Sequence, residues 1–134
     1  MTDVELMQLA AEARKMAYAP YSDFFVGAAL LAADGRVFTG CNIENASYTP
    51  TNCAERTAFF KAVSEGVRDF SAIAVCGGRG DVLEPLCTPC GVCRQVMSEF
   101  CSPDFRVILG TPDRTVIYRL DELLPLSFSL KSED

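Results

Sequence analysis

Three cysteines and one glutamate fall in two short stretches of this chain: Cys53-Ala54-Glu55-Arg56 and Pro89-Cys90-Gly91-Val92-Cys93-Arg94. Cys90 and Cys93 are three apart, so on a helix they share a face and can reach one ion. Cys53 would come from the start of a second helix. Helix N-termini carry partial positive charge, which favours thiolate over thiol. Three thiolates around Zn²⁺ leave a fourth position for water, the layout of a catalytic rather than a structural site. Zinc lowers the pKa of such a water to about 7. There is no histidine in the chain, so imidazole is neither ligand nor base. Glu55, two residues beyond Cys53, is then the best proton shuttle. That role needs a carboxylate whose pKa is drawn toward neutrality, and burial does this. Three thiolates outweigh the charge of the ion, and a net anionic site is a poor Lewis acid. Either Arg56 or Arg94, Arg56 by preference, is expected to donate hydrogen bonds to the sulfurs and restore acidity.

Two other readings of the same cysteines stand beside this one. Cys87-Thr88-Pro89-Cys90-Gly91-Val92-Cys93 also spells C-x₂-C-x₂-C, so Cys87 could close a four-cysteine structural site. Cys90 and Cys93 could be a redox dithiol, which leaves Cys53 and Glu55 without a purpose. Cys41, Cys76 and Cys101 lie alone in apolar surroundings and read as small buried hydrophobes.

The elements that must hold these groups are legible in outline. Asp3 to roughly Ala17 has helical periodicity, with Thr2 or Asp3 as cap. Phe25 to Ala32 reads as a buried strand, Asp34-Gly35 as a hairpin turn, and Arg36 to Cys41 as the antiparallel return. A helix from Asn52-Cys53 to about Glu65 is expected, capped by Asn52 and stopped by Gly66. Phe70 to Cys76 reads as a third strand, and Gly77 to Pro89 as a loop. Cys90 to about Phe100 is a helix entered from Pro89. Phe105–Leu109 and Thr115–Tyr118 are short strands, and Asp121–Leu124 is a helical turn. Strands alternating with helices imply an α/β fold with a mixed sheet, and both cysteine motifs open helices.

The whole chain sets bounds. Its 134 residues fit a single domain, 1–134, that can bury roughly two-thirds of its unfolded surface. Apolar runs such as Phe24 to Leu31 are far short of the roughly 20 residues a membrane span needs, so no membrane partner is expected. The acidic N-terminus does not read as a signal peptide, and an odd count of seven cysteines, some of them clustered as metal ligands would be, suits a reducing cytoplasm. A net charge of −6 without basic clusters argues against a nucleic-acid polymer and is compatible with a small neutral substrate.

At these residues the chain resembles the small, homotetrameric cytidine deaminases, whose motif sets a first ligand two residues before a catalytic Glu, followed by P-C-x-x-C. Tyr18-Ala19-Pro20-Tyr21-Ser22, Asn42-Ile43-Glu44-Asn45-Ala46-Ser47-Tyr48, Cys53-Ala54-Glu55-Arg56, Pro89-Cys90-Gly91-Val92-Cys93-Arg94-Gln95 and Leu123-Leu124-Pro125 carry the likeness over almost the whole chain. The resemblance implies a three-layer α/β/α fold with a mixed five-stranded sheet, one Zn²⁺ per chain, and hydrolytic deamination of cytidine and 2′-deoxycytidine to uridine and 2′-deoxyuridine. It implies Cys53, Cys90 and Cys93 as zinc ligands and Glu55 as proton shuttle. Asn42 and Glu44 would bind ribose hydroxyls, Phe24 would pack on the nucleoside, and the Ala54 backbone would meet the pyrimidine edge. Tyr48 and Phe128 would complete a neighbouring subunit's pocket in a homotetramer. Read without the resemblance, Phe24 is equally a core aromatic, and Asn42 and Glu44 are turn residues on a solvated surface. Three rivals remain at this level: a deaminase of a modified cytosine nucleoside such as blasticidin, a non-catalytic zinc-stabilised binding module, and a nucleic-acid editing enzyme.

Overall fold

The computed structural model describes residues 1–131; residues 132–134, the end of the single domain expected at 1–134, lie outside them. Among the described residues four helices and five strands follow the order α1 (Asp3–Arg14), β1 (Phe24–Ala32), β2 (Val37–Cys41), α2 (Ala54–Ser64), β3 (Phe70–Arg79), α3 (Gly91–Phe100), β4 (Arg106–Thr111), β5 (Arg114–Arg119) and α4 (Leu120–Leu123). One sheet has the order β2-β1-β3-β4-β5. It is mixed: β3 and β4 are parallel, and the other neighbours are antiparallel.

Both faces of the sheet are covered, which is why β1 reads as an almost unbroken apolar run. Successive residues point to opposite faces. Ala28 and Leu30 of β1, Ile73 and Val75 of β3, and Val107 and Leu109 of β4 join Ala58, Phe59, Ala62 and Met97 from α2 and α3. Ala29, Ala72, Ala74, Cys76 and Ile108 point the other way, onto Leu6, Met7 and Ala10 of α1. The result is three layers, α1 on one side and α2 with α3 on the other.

One topological fact positions the cysteines. β2 and β3 both pair antiparallel with β1, so they run in the same direction. The helices that follow them, α2 and α3, therefore start toward the same end of the sheet, and both pack on the same face. Gly40 lets α2 approach β2 closely. A Cβ built there would lie 2.4 Å from the Ala54 carbonyl oxygen and 2.6 Å from the Ala58 nitrogen.

Several expected boundaries move. Helix α1 stops at Arg14 rather than near Ala17: Met16 N and Ala17 N bond three residues back, to Ala13 O and Arg14 O, and this tight turn sends Tyr18 N to Asn42 O. Its cap is Thr2, whose hydroxyl accepts from Glu5 N at 3.1 Å while the Glu5 carboxylate accepts from Thr2 N at 2.9 Å. Strand β3 runs on to Arg79, through residues read as loop, because Gly77, Gly78 and Arg79 pair with Val26, Phe25 and Phe24. The cap of α2 is Cys53, not Asn52, whose side-chain amide instead donates to Thr57 Oγ1 at 3.2 Å.

Candidate active site

Cys53 and Cys90 are the N-caps of α2 and α3, and neither thiol makes a capping hydrogen bond. Each sulfur thus sits at the positive end of a helix, beside backbone N–H groups that lack intrahelical partners. Cys93 stands one turn into α3 and is buried. The Cys53 and Cys90 sulfurs are 3.8 Å apart, and those of Cys90 and Cys93 are 3.6 Å apart. All three lie within 4.8 Å of one another. Tetrahedral zinc with Zn–S bonds of about 2.3 Å requires sulfurs about 3.8 Å apart, so this donor set fits the ion. Among the described residues the cluster consists of these three, and Cys87 is not in it. The four-cysteine reading fails on this geometry.

The electrostatics around the sulfurs are lopsided. The Cys53 thiol is pulled down to about 5, first by the hydrogen bond it shares with Cys93 and then by Arg56. The same bond, together with burial, pushes Cys93 up. Arg56 Nη2 donates to Cys53 Sγ at 3.2 Å. Its buried Nε has no hydrogen-bond partner among the described residues. An unpaired buried donor is costly, and the offset here is the placing of the guanidinium against the sulfurs of Cys53 and Cys93. Arg94 does something else: it donates to Pro89 O at 2.8 Å and Leu123 O at 2.7 Å, tying the start of α3 to the C-terminal segment.

Glu55, in the first turn of α2, is 4% exposed. Its carboxyl is pushed up to about 7, chiefly by burial, with the charge of Cys53 adding to the effect. It lines a cavity of about 210 Å³ with Phe24, Val26, Asn42, Glu44, Cys53, Ala54, Cys87 and Cys90. The structure thus brings seven of the sequence-selected groups to one hollow. Cys87 lines its wall as a thiol, pushed up to about 12 by burial and then by Glu55. Gly77 makes room for it: a Cβ there would lie 2.9 Å from Cys87 Sγ and from Val26 Cγ2.

A second hollow, of about 370 Å³, adjoins through Glu44 and is lined by Tyr21, Ser22, Asn45, Tyr48 and Thr51. Tyr48 is 77% exposed and has φ of 61°. Phe128 is not among the lining residues of either hollow within the chain. It is exposed, and its carbonyl accepts from Gln95 Nε2 at 3.1 Å.

Sequence reasoning missed how the sugar-loop candidates are held. Asn42 Oδ1 accepts from Val26 N and its Nδ2 donates to Phe24 O, each at 2.8 Å, so its amide extends the ladder of β1 where β2 ends. Glu44 accepts from the backbone of Tyr21 and Ser22 and from the Ser22 hydroxyl. Ser22, two residues before Phe24, carried the local signal of a serine turn, but its partner is 22 residues away.

Comparison with known proteins agrees with this geometry. The family model of the cytidine and deoxycytidylate deaminase zinc-binding region matches residues 1–110. The chain is 53% identical over 132 residues to a cytidine deaminase of Sporosarcina psychrophila, covering 95% of this chain and 92% of that one. It is 54% identical over 125 residues to one of Halalkalibacterium halodurans, covering 92% of each. The crystal structure of cytidine deaminase from Burkholderia pseudomallei superposes with a TM-score of 0.88 at 48% identity, covering 96% of this chain and all of that one. Three clustered sulfurs, a buried glutamate beside them and these matches lead to one conclusion: the chain belongs to the zinc-dependent cytidine and deoxycytidylate deaminase family.

Proposed function

We propose that this chain hydrolyses the C4 amino group of cytidine and 2′-deoxycytidine, releasing ammonia and leaving uridine or 2′-deoxyuridine. The observation that carries the reading is Glu55, a buried carboxyl held near 7 in a hollow it shares with Cys53 and Cys90 of the three-thiol cluster and with the polar side chains of Asn42 and Glu44. Cys53, Cys90 and Cys93 would hold the zinc, which when bound supplies acidity to water and positive charge near C4. Arg56 withdraws charge from Cys53 by its hydrogen bond. Glu55 takes a proton from the attacking water and passes it to N3 of the pyrimidine, which makes C4 electrophilic. The water oxygen then bonds to C4. Glu55 moves the second proton from the new hydroxyl to the amino nitrogen, the C4–N bond breaks, and ammonia leaves.

Phe24 provides an apolar face for the base, and the Ala54 backbone, at the start of α2, meets its polar edge. Asn42 and Glu44 hold the sugar. A polar pair left unsatisfied when a substrate lacks the hydroxyl disfavours that substrate. Exposed Tyr48 and Phe128 suit residues that reach a neighbouring copy in a homotetramer. The unit is one domain, residues 1–134. The cytoplasm is its proposed compartment, supported by seven free thiols, which a reducing environment preserves. Among the described residues no helix is long and apolar enough to cross a membrane.

The test pairs two measurements on one sample: zinc content per chain, and loss of absorbance with cytidine, deoxycytidine and a modified cytosine nucleoside. One zinc per chain with turnover of the first two is expected. Zinc without turnover of any nucleoside would instead mark a binding module.

A further inference from the structure

We infer that Ser22 is a positioning residue for the sugar site: its hydroxyl holds the Glu44 carboxylate so that a single acceptor position is left for substrate. The inference rests on the reading of Glu44 as a sugar ligand given above, and adds to it a residue and a count.

The count comes from hydrogen-bond capacity. An ionised carboxylate offers about four acceptor positions. Glu44 Oε1 accepts from Tyr21 N at 2.9 Å and from Ser22 N at 3.2 Å. Glu44 Oε2 accepts from the Ser22 hydroxyl. One position on Oε2 remains. On the neighbouring Asn42, one N–H is used on Phe24 O and the other is available. Asn42 and Glu44 line one hollow, and a lone acceptor with a lone donor there matches one sugar hydroxyl, which donates to Glu44 and accepts from Asn42.

The direction of the Ser22 bond is also determined. Phe24 N donates to Ser22 Oγ at 3.1 Å. With that N–H aimed at its oxygen, the hydroxyl turns its own proton toward Glu44. Asp23 between them has φ of 58°, and this left-handed turn folds Ser22 back over the start of β1. Ser22 thus joins the carboxylate that would read the sugar to the backbone of the aromatic that would face the base. Without the hydroxyl, Glu44 Oε2 has two open positions, and the carboxylate loses one of its three anchors.

Steady-state kinetics on cytidine, 2′-deoxycytidine and 3′-deoxycytidine test this, with zinc content measured for every variant. In the wild type, removing one of the two hydroxyls lowers kcat/KM and removing the other does not. Ser22→Ala lowers kcat/KM roughly tenfold on substrates that carry the read hydroxyl, mostly through KM, the loss expected for one hydrogen bond to a charged group. On the analogue lacking that hydroxyl the same variant changes kcat/KM by less than about twofold. Ser22→Thr, which keeps the hydroxyl, recovers most of the loss, and zinc content stays at the wild-type level. If Ser22→Ala does not fold, Ser22→Cys, of similar size and with a weak donor, takes its place in the same comparison. An equal loss on every analogue assigns Ser22 a general structural role and overturns the inference. So does an undiminished Ser22→Ala in an enzyme where Glu44→Gln raises KM. If Glu44→Gln and loss of either hydroxyl are all without effect, the sugar-site reading falls and takes this one with it.

Discussion

Glu55 illustrates how one side chain acquires its chemistry from its surroundings. An exposed glutamate titrates near 4.3 and would hold no proton to deliver at neutral pH. Burial in the first turn of α2 moves it to about 7, where it can both take and give a proton. Glu55→Gln keeps the shape and removes the proton carrier. Turnover should fall by about 10² to 10⁴ or more, with one zinc still bound per chain, as single-turnover kinetics and metal analysis would show. Cys87 makes the opposite point. It shares a three-residue spacing with Cys90, yet it lies outside the sulfur cluster and faces the hollow as a half-buried thiol. Cys87→Ser should therefore retain zinc stoichiometry. A metal content that halves or vanishes would return Cys87 to the ligand set.

At the scale of elements, the site depends on how closely two helix starts approach the sheet. Helix α2 lies so near β2 that no side chain fits at Gly40. Gly40→Ala should push α2 outward and cost about 1–3 kcal/mol by overpacking, read in urea denaturation. Because Cys53 and Glu55 ride on the displaced turn, weaker zinc retention against a chelator should accompany the loss. Wild-type values in both assays would show that α2 does not need this approach. The helices, the hairpin at Asp34-Gly35 and the cysteine motifs at helix starts were legible because period and turn chemistry are local signals. The extension of β3 through Gly77 and Gly78 was not. Glycines look like loop residues in isolation, and only pairing with Phe25 and Val26 makes them strand. The same holds for the cap of α2. Asn52 is the better capping residue by type, but its amide is drawn to Thr57, and its backbone N and O pair with Ile43.

At the scale of the whole molecule, exposed apolar side chains bear on assembly. Tyr48, Phe60, Val92, Ile117, Phe128 and Leu130 are exposed apolar side chains spread along a small chain. A homotetramer that covers such residues should give, by light scattering, about four times the 14.6 kDa chain mass. A stable, fully active monomer would remove Tyr48 and Phe128 from any shared pocket. The core itself is anchored on Phe59, whose ring meets Phe70 edge-on at 5.2 Å and stacks with Phe100 at 6.3 Å. Phe59 lies on the helix that carries Glu55, so the packing that stabilises the fold also sets the height of the Glu55 turn over the sheet.

By itself the sequence determined which groups could do chemistry: sulfur in place of imidazole, Cys90 and Cys93 on one helix face, and an acid two residues from a third thiol. Spacing along one helix is a local property, so these relations hold before any tertiary contact forms. That Cys53 meets Cys90 across 37 residues was decided only by the tertiary structure. So were the exclusion of Cys87 from the sulfur cluster and the joining of Ser22 to Glu44. The reason is the sheet order. With β1 inserted antiparallel between β2 and β3, two distant helices begin toward the same end, and no short-range pattern in the chain encodes that pairing.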